Sequence, residues 1–185
     1  MIIVIILIAL VPIAMYFSHQ MKISSPAERW PLMAPKLKLI YEEDPARMTG
    51  DWGGRRVQIN TLSNGVTLTM WLKTPTSVRV ECGPKAVVLK RNLPIAPNPV
   101  AALEPAFEQF LARSSDKAAG PAVFDSSLQG RLAYMSEVDF VGTDISVIWT
   151  VPHLKESADA EPILHALGAV AEALEKFPAG GSPLA

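Results

Sequence analysis

The chain has one cysteine, Cys82, so no disulfide can form within it, and neither a CxxC pair nor mixed Cys/His metal spacing occurs. It also lacks an excess of either charge. Seventeen basic residues stand against eighteen acidic ones, a net charge of -1, which argues against a general field for nucleic acid or for a membrane surface and leaves any steering to local charge. Motifs of catalysis are absent as well: there is no G-x-S-x-G, no H-E-x-x-H and no CxxCH, and Gly50-Asp51-Trp52-Gly53-Gly54 lacks the later glycine or the Lys-Ser/Thr of a phosphate loop. His153 and His165 have no cysteine or carboxylate at ligand spacing and read as surface histidines. These absences predict no catalytic residues, no metal and no cofactor.

Charge is missing most conspicuously at the start. From Ile2 to Phe17 there are sixteen residues without a charged side chain, and extension to Met21 gives about 20 residues, or about 30 Å of helix, enough to cross a hydrocarbon core. No Lys or Arg precedes the run and Ala14-Met15-Tyr16 is a poor cleavage site, so residues 1–21 are expected to be a retained transmembrane anchor, not a signal peptide. Ile and Leu lie all around that helix, as suits lipid. Lys22, Arg29, Lys36 and Lys38 follow it, and the positive-inside rule places the rest of the chain on the cytoplasmic side of a bacterial inner membrane. Pro12 would bend the helix or free a carbonyl for a partner helix, and Tyr16 and His19 fall at the expected interface.

Beyond the anchor, about 165 residues remain, the usual size of one domain. Apolar residues make up 49% of the chain and charged residues 19%, enough for a core. Residues 22–45 read as a juxtamembrane segment with a short helix opened by Ser25-Pro26-Ala27-Glu28 and limited by Pro31 and Pro35, with Trp30, Leu32, Met33 and Leu37 covering one edge of the domain. Residues 46–178 read as the soluble domain and 179–185 as a flexible tail. The fold class expected is α+β: antiparallel meander and hairpins with packed helices.

The clearest pattern is a hairpin. Val57 and Ile59 alternate with polar residues, Asn64-Gly65 supplies turn chemistry, and Leu68, Met70 and Leu72 alternate beyond it. A two-residue turn at Asn64-Gly65 predicts pairs Ile59–Met70 and Val57–Leu72, with all four residues on one face. A third strand through Val78, Val80 and Cys82, with Arg79 and Glu81 outward, and a fourth from Val87 to Leu89 would extend the meander. Cys82 then faces inward as an inert thiol. Trp71 faces the other way, either under a loop or as an interface anchor.

Pro94, Pro97, Pro99 and Pro105 predict a stiff, extended connector over residues 93–105. After it come an ambiguous stretch at Phe107, Phe110 and Leu111, a helix from about Pro121 to Tyr134, and a second hairpin of Val138 and Phe140 with Ile145, Val147, Trp149 and Val151. A closing helix capped by Asp159 carries Ile163, Leu167, Val170, Leu174 and Phe177 on one stripe and ends at Pro178. Arg55-Arg56 and Lys90-Arg91 punctuate the strands, as solvated strand ends or as sites for acidic partner loops or lipid head groups.

This order of features, with Trp30-Pro31-Leu32-Met33-Ala34 opening the domain and Gly50-x-x-Gly53-Gly54-Arg55-Arg56-Val57 starting the meander, resembles a loose class of bacterial single-pass inner-membrane proteins. The resemblance implies no activity. The function expected is a non-catalytic accessory or structural subunit of a larger membrane complex, with a photosynthetic reaction-centre and antenna complex ranked first and a respiratory complex second. Its partners would be integral membrane subunits and the lipid bilayer, met through Pro12, Tyr16, His19, Trp71, Arg55 and Arg56. A free-standing membrane-tethered binding or sensing module is the alternative.

Overall fold

The computed structural model describes residues 26–63, 65–91 and 96–180. The expected anchor over residues 1–21, with Pro12, Tyr16 and His19, lies outside them. Among the described residues no helix is long and apolar enough to cross a membrane.

The α+β class is observed. Helix α1 (Pro26–Met33) leads into a four-stranded meander, β1 (Leu39–Glu42), β2 (Arg47–Trp52), β3 (Arg55–Leu62) and β4 (Gly65–Trp71). Then follow β5 (Val80–Pro84), α2 (Lys85–Arg91), β6 (Asn98–Pro99), a 3-10 turn (Pro105–Gln109) and β7 (Phe110–Ser114). Helices α3 (Ala119–Val123) and α4 (Ser126–Ala133), the hairpin β8 (Phe140–Gly142) and β9 (Ser146–Val151), and α5 (Ser157–Glu175) complete the domain. The strands form one antiparallel sheet in the order β1-β2-β3-β4-β9-β8-β5-β7-β6. The late hairpin β8–β9 thus joins the meander to the β5-β7-β6 half.

Two strand expectations are corrected by that order. First, β5 is not the meander's neighbour, because the free edge of β4 is taken by β9, where Leu68 meets Trp149 and Met70 meets Val147. Placed centrally instead, β5 is buried from Val80 to Gly83, and Glu81, on the face opposite Cys82, is only 1% exposed. Second, the strand predicted at Val87–Leu89 is α2. Pro84 cannot donate to a ladder, and Lys90 and Arg91 in the last turn suit the helix dipole. Only Val88 of that run is buried.

The first hairpin keeps its faces but shifts its register by two residues. Leu62 pairs with Gly65, Ile59 with Leu68 and Val57 with Met70. An even shift leaves Val57, Ile59, Leu68 and Met70 on the same buried face. Gly65 serves the close approach of the neighbouring strand, since a Cβ there would lie 2.5 Å from the Val151 carbonyl oxygen. Primed-turn chemistry is found one hairpin earlier, where Gly53 and Gly54 both take positive φ between Trp52 and Arg55.

Helix α5 packs on the inner face of the sheet, burying Ile163, Leu164, Leu167, Val170 and Leu174. Its N-cap is Glu156, with Asp159 as the reciprocal capping-box partner. An aromatic stack of Phe124, Phe140 and Trp149 fills the centre, with ring centroids 6.1 and 5.0 Å apart along it. Trp30, Met33, Leu37 and Leu39 belong to the same core, whereas Leu32 is 72% exposed. The connector over 93–105 does not simply cross the surface: β6 pairs with β7, Ala96 is buried, and the wholly buried Gln129 accepts from the Leu103 amide (2.7 Å) while donating to the Ala101 and Phe124 carbonyls. The helix expected over 121–134 is broken at Phe124, and Asp125 caps the second piece by accepting from the Leu128 amide.

Candidate functional site

A cleft of about 640 Å³ lies between the β2–β3 turn and α5. Its position follows from local sequence. The Gly53-Gly54 turn sets Trp52 and Arg55 as the last paired residues of β2 and β3, and Asp51 secures the turn by accepting from the Gly54 amide at 2.8 Å. On the helix, Leu164, His165, Gly168, Ala169 and Glu172 recur every three or four residues and form the facing wall. The Trp52 and His165 rings meet edge to face, centroids 5.4 Å apart. Lys36 and Lys38, from the turn after α1, and Arg131 of α4 complete the rim.

Arg55 is committed within this wall. Its guanidinium donates to Glu175 at 2.6 Å, both side chains are largely buried, and the Lys73 amide donates to the same carboxylate at 2.6 Å. Arg55 therefore latches the turn to the end of α5, whereas sequence grouped it with exposed Arg56 as a partner contact. Lys36, Lys38 and Arg131 form no ion pair among the described residues.

Arg56 and Trp71 meet on the opposite face of the sheet, the guanidinium 4.8 Å from the ring centroid, a cation-π contact. Trp71 is half-buried among Thr67, Thr69, Gln58 and Asn60, whose side chains share that partly exposed face. A third cluster surrounds Glu81, which faces Arg91 of α2 at 3.4 Å and Arg113 of β7 at 3.7 Å, while Arg91 also pairs with Asp139. Burial pushes the Glu81 carboxyl above the usual carboxylate range despite the two guanidinium groups. Cys82, fully buried, has its thiol pushed far up by the same desolvation and is inert, as its inward position predicted. His153 is exposed, beside a smaller pocket with Tyr134 and Lys155. Among the described residues no group of three or more His, Cys, Asp or Glu side chains is placed to hold a metal.

The cleft was not assembled from sequence, although its parts were noted separately: Lys36 and Lys38 for orientation, the Gly50–Gly54 stretch as the start of the meander, His165 as a surface residue. The available signal was Gly168, a glycine beside the apolar stripe and inside a long helix, where it is costly.

Fold and site define a class: an α+β domain whose single antiparallel sheet carries a long closing helix on one face and a basic, aromatic cleft at that helix's edge. A solved structure of similar fold is that of the mycobacterial trehalose monomycolate transport factor A, TtfA, which superposes with a TM-score of 0.68 at 14% identity over 85% of this chain and 98% of that one. No family model and no curated protein matches the chain. At that identity the likeness is one of fold.

Proposed function

We propose that the chain is a membrane-tethered, non-catalytic accessory factor, in which residues 1–21 hold the domain at the cytoplasmic side of a bacterial inner membrane and the domain docks on an integral membrane protein. The observation that carries this reading is the Arg56–Trp71 pair, an aromatic-cation patch on the sheet face opposite α5. Tryptophan and arginine are the residue types most enriched where truncation weakens interfaces. The name of the structure with a similar fold, a transport factor, favours a role beside a transport protein ahead of the photosynthetic and respiratory complexes that sequence alone suggested. Solubilisation in mild detergent followed by native sizing tests the reading: co-migration with larger partners is expected, and migration as a lone 20.0 kDa chain in its micelle overturns it. Trp71→Ala should reduce co-purification with the fold intact.

A second reading, a binding module for a small ligand, is favoured by the cleft itself, which has the size and mixed lining of ligand sites.

A further inference from the structure

The cleft holds more positive charge than its surroundings neutralise. Four cations, Lys36, Lys38, Arg55 and Arg131, line it against the carboxylates of Asp51 and Glu172, and Arg131 and Glu172 together stand where the cleft adjoins a smaller pocket. Arg55 is matched by Glu175, so Lys36, Lys38 and Arg131 face Asp51 and Glu172 with a net positive balance, and none of the three cations is held in an ion pair among the described residues. Below them the lining turns apolar: Leu37 and Leu164 are fully buried, Ala169 is half-buried, and the Trp52 ring forms one wall. Such a lining suits an anion carried on a carbon-rich body better than a bare inorganic ion.

Gly168 is the second observation. It lies within a helix of nineteen residues, where glycine costs about 1 kcal/mol relative to alanine. Close packing does not explain it, because a Cβ at Gly168 would meet nothing within 4 Å. The space that a side chain would take is the cleft.

Position is the third. From Met21 to Pro26 the chain spans at most about 18 Å. Helix α1, eight residues long, adds about 12 Å. With residues 1–21 across a bilayer, as the proposed function has it, this short tether keeps Lys36 and Lys38 close to the membrane, where lipid headgroups are the abundant anions.

We infer that this cleft binds the phosphate-bearing headgroup of an anionic membrane lipid, with Lys36, Lys38 and Arg131 around the phosphate and Trp52 against the carbon face of the headgroup. The inference deepens the binding-module reading and draws on the tether only for the source of the lipid. Its test uses the full chain in nonionic detergent, titrated calorimetrically with dihexanoyl phosphatidylglycerol, dihexanoyl phosphatidylcholine and inorganic phosphate. Saturable binding of the phosphatidylglycerol is expected, at least tenfold tighter than that of either other probe. The triple variant Lys36→Gln, Lys38→Gln, Arg131→Gln should weaken it at least tenfold. Gly168→Leu should abolish it by filling the cleft, and the milder Gly168→Ala should weaken it several-fold, both with an unchanged or raised Tm. Equal affinity for the two lipids, binding of inorganic phosphate as tight as that of phosphatidylglycerol, or unchanged binding in both the triple variant and Gly168→Leu would each overturn the inference. Loss of lipid binding alongside retained co-migration with a partner would sink it and leave the docking role standing.

Discussion

Replacing Glu175 by alanine should destabilise the domain by about 3 kcal/mol, because one carboxylate satisfies two donors from different parts of the chain. Its Oε2 accepts from the Arg55 guanidinium and its Oε1 from the Lys73 amide, each at 2.6 Å, and the two charged side chains are 11% and 15% exposed. Removing one partner of a fully buried pair costs about 3–5 kcal/mol, and the residual exposure here reduces that to about 2. Loss of the acceptor for the Lys73 amide adds about 1 kcal/mol. Arg55→Ala should cost less, about 2 kcal/mol, since Glu175 keeps the Lys73 amide. The double variant should fall short of the sum by about 1 kcal/mol or more, the coupling of the pair. Urea unfolding at constant m is the assay, and the Tm of Glu175→Ala should drop by about 6–12 °C. A loss under about 1 kcal/mol for Glu175→Ala, or full additivity, would refute the latch and return Arg55 to the exposed, partner-facing role that sequence assigned it.

Gln129→Ala should cost about 3 kcal/mol and expose residues 96–104 to limited proteolysis, since the Leu103 amide and the Ala101 and Phe124 carbonyls all lose their partner. Glu81, with its carboxyl raised by burial, binds its proton more tightly folded than unfolded, so its contribution to stability declines as pH rises from about 4 through the raised value; Glu81→Gln should remove that decline from the pH profile of unfolding. Asp144, held low by Arg79, has the opposite sign: its contribution is present above the ordinary carboxylate range and lost on acidification, and Asp144→Asn should flatten the acid limb. Gly65→Ala should destabilise by about 2 kcal/mol or more in the same unfolding assay, because its methyl group would be driven against the Val151 carbonyl.

Local periodicity carried most of the elements. Alternation marked β3, β4 and β9, and the stripe of Ile163, Leu167, Val170 and Leu174 marked α5, because in each case one face is buried and the other is not. Strand order was hidden for a different reason. Whether β4 pairs with β5 or with β9 depends on which edge offers the better facing side chains, and Trp149 and Val147 lie roughly 80 residues downstream of Leu68 and Met70. Strand β5 is buried on both faces, yet Glu81 between Val80 and Cys82 gives it the alternation of a half-exposed strand, so its interior place was masked in the pattern. The register error had a similar origin: Asn-Gly carries turn chemistry, yet the glycine was required by an approaching strand instead.

The cleft illustrates the same limit at the level of function. Each residue lining it has a sufficient local explanation: lysines after a helix, a tryptophan at a strand end, an arginine on a short helix, a histidine on an exposed helical position. What makes them a site is that three cations free of ion pairs among the described residues and an aromatic ring, drawn from three separate elements, converge over an apolar floor. Gly168 is the exception, since it weakens its helix and fills no tight contact; Gly130 in α4 is as open, but of the two only Gly168 lines the cleft. A residue that disfavours its own element without a packing reason points to space being kept open, and in a helix otherwise used to cover a sheet, that space is where a ligand can be held.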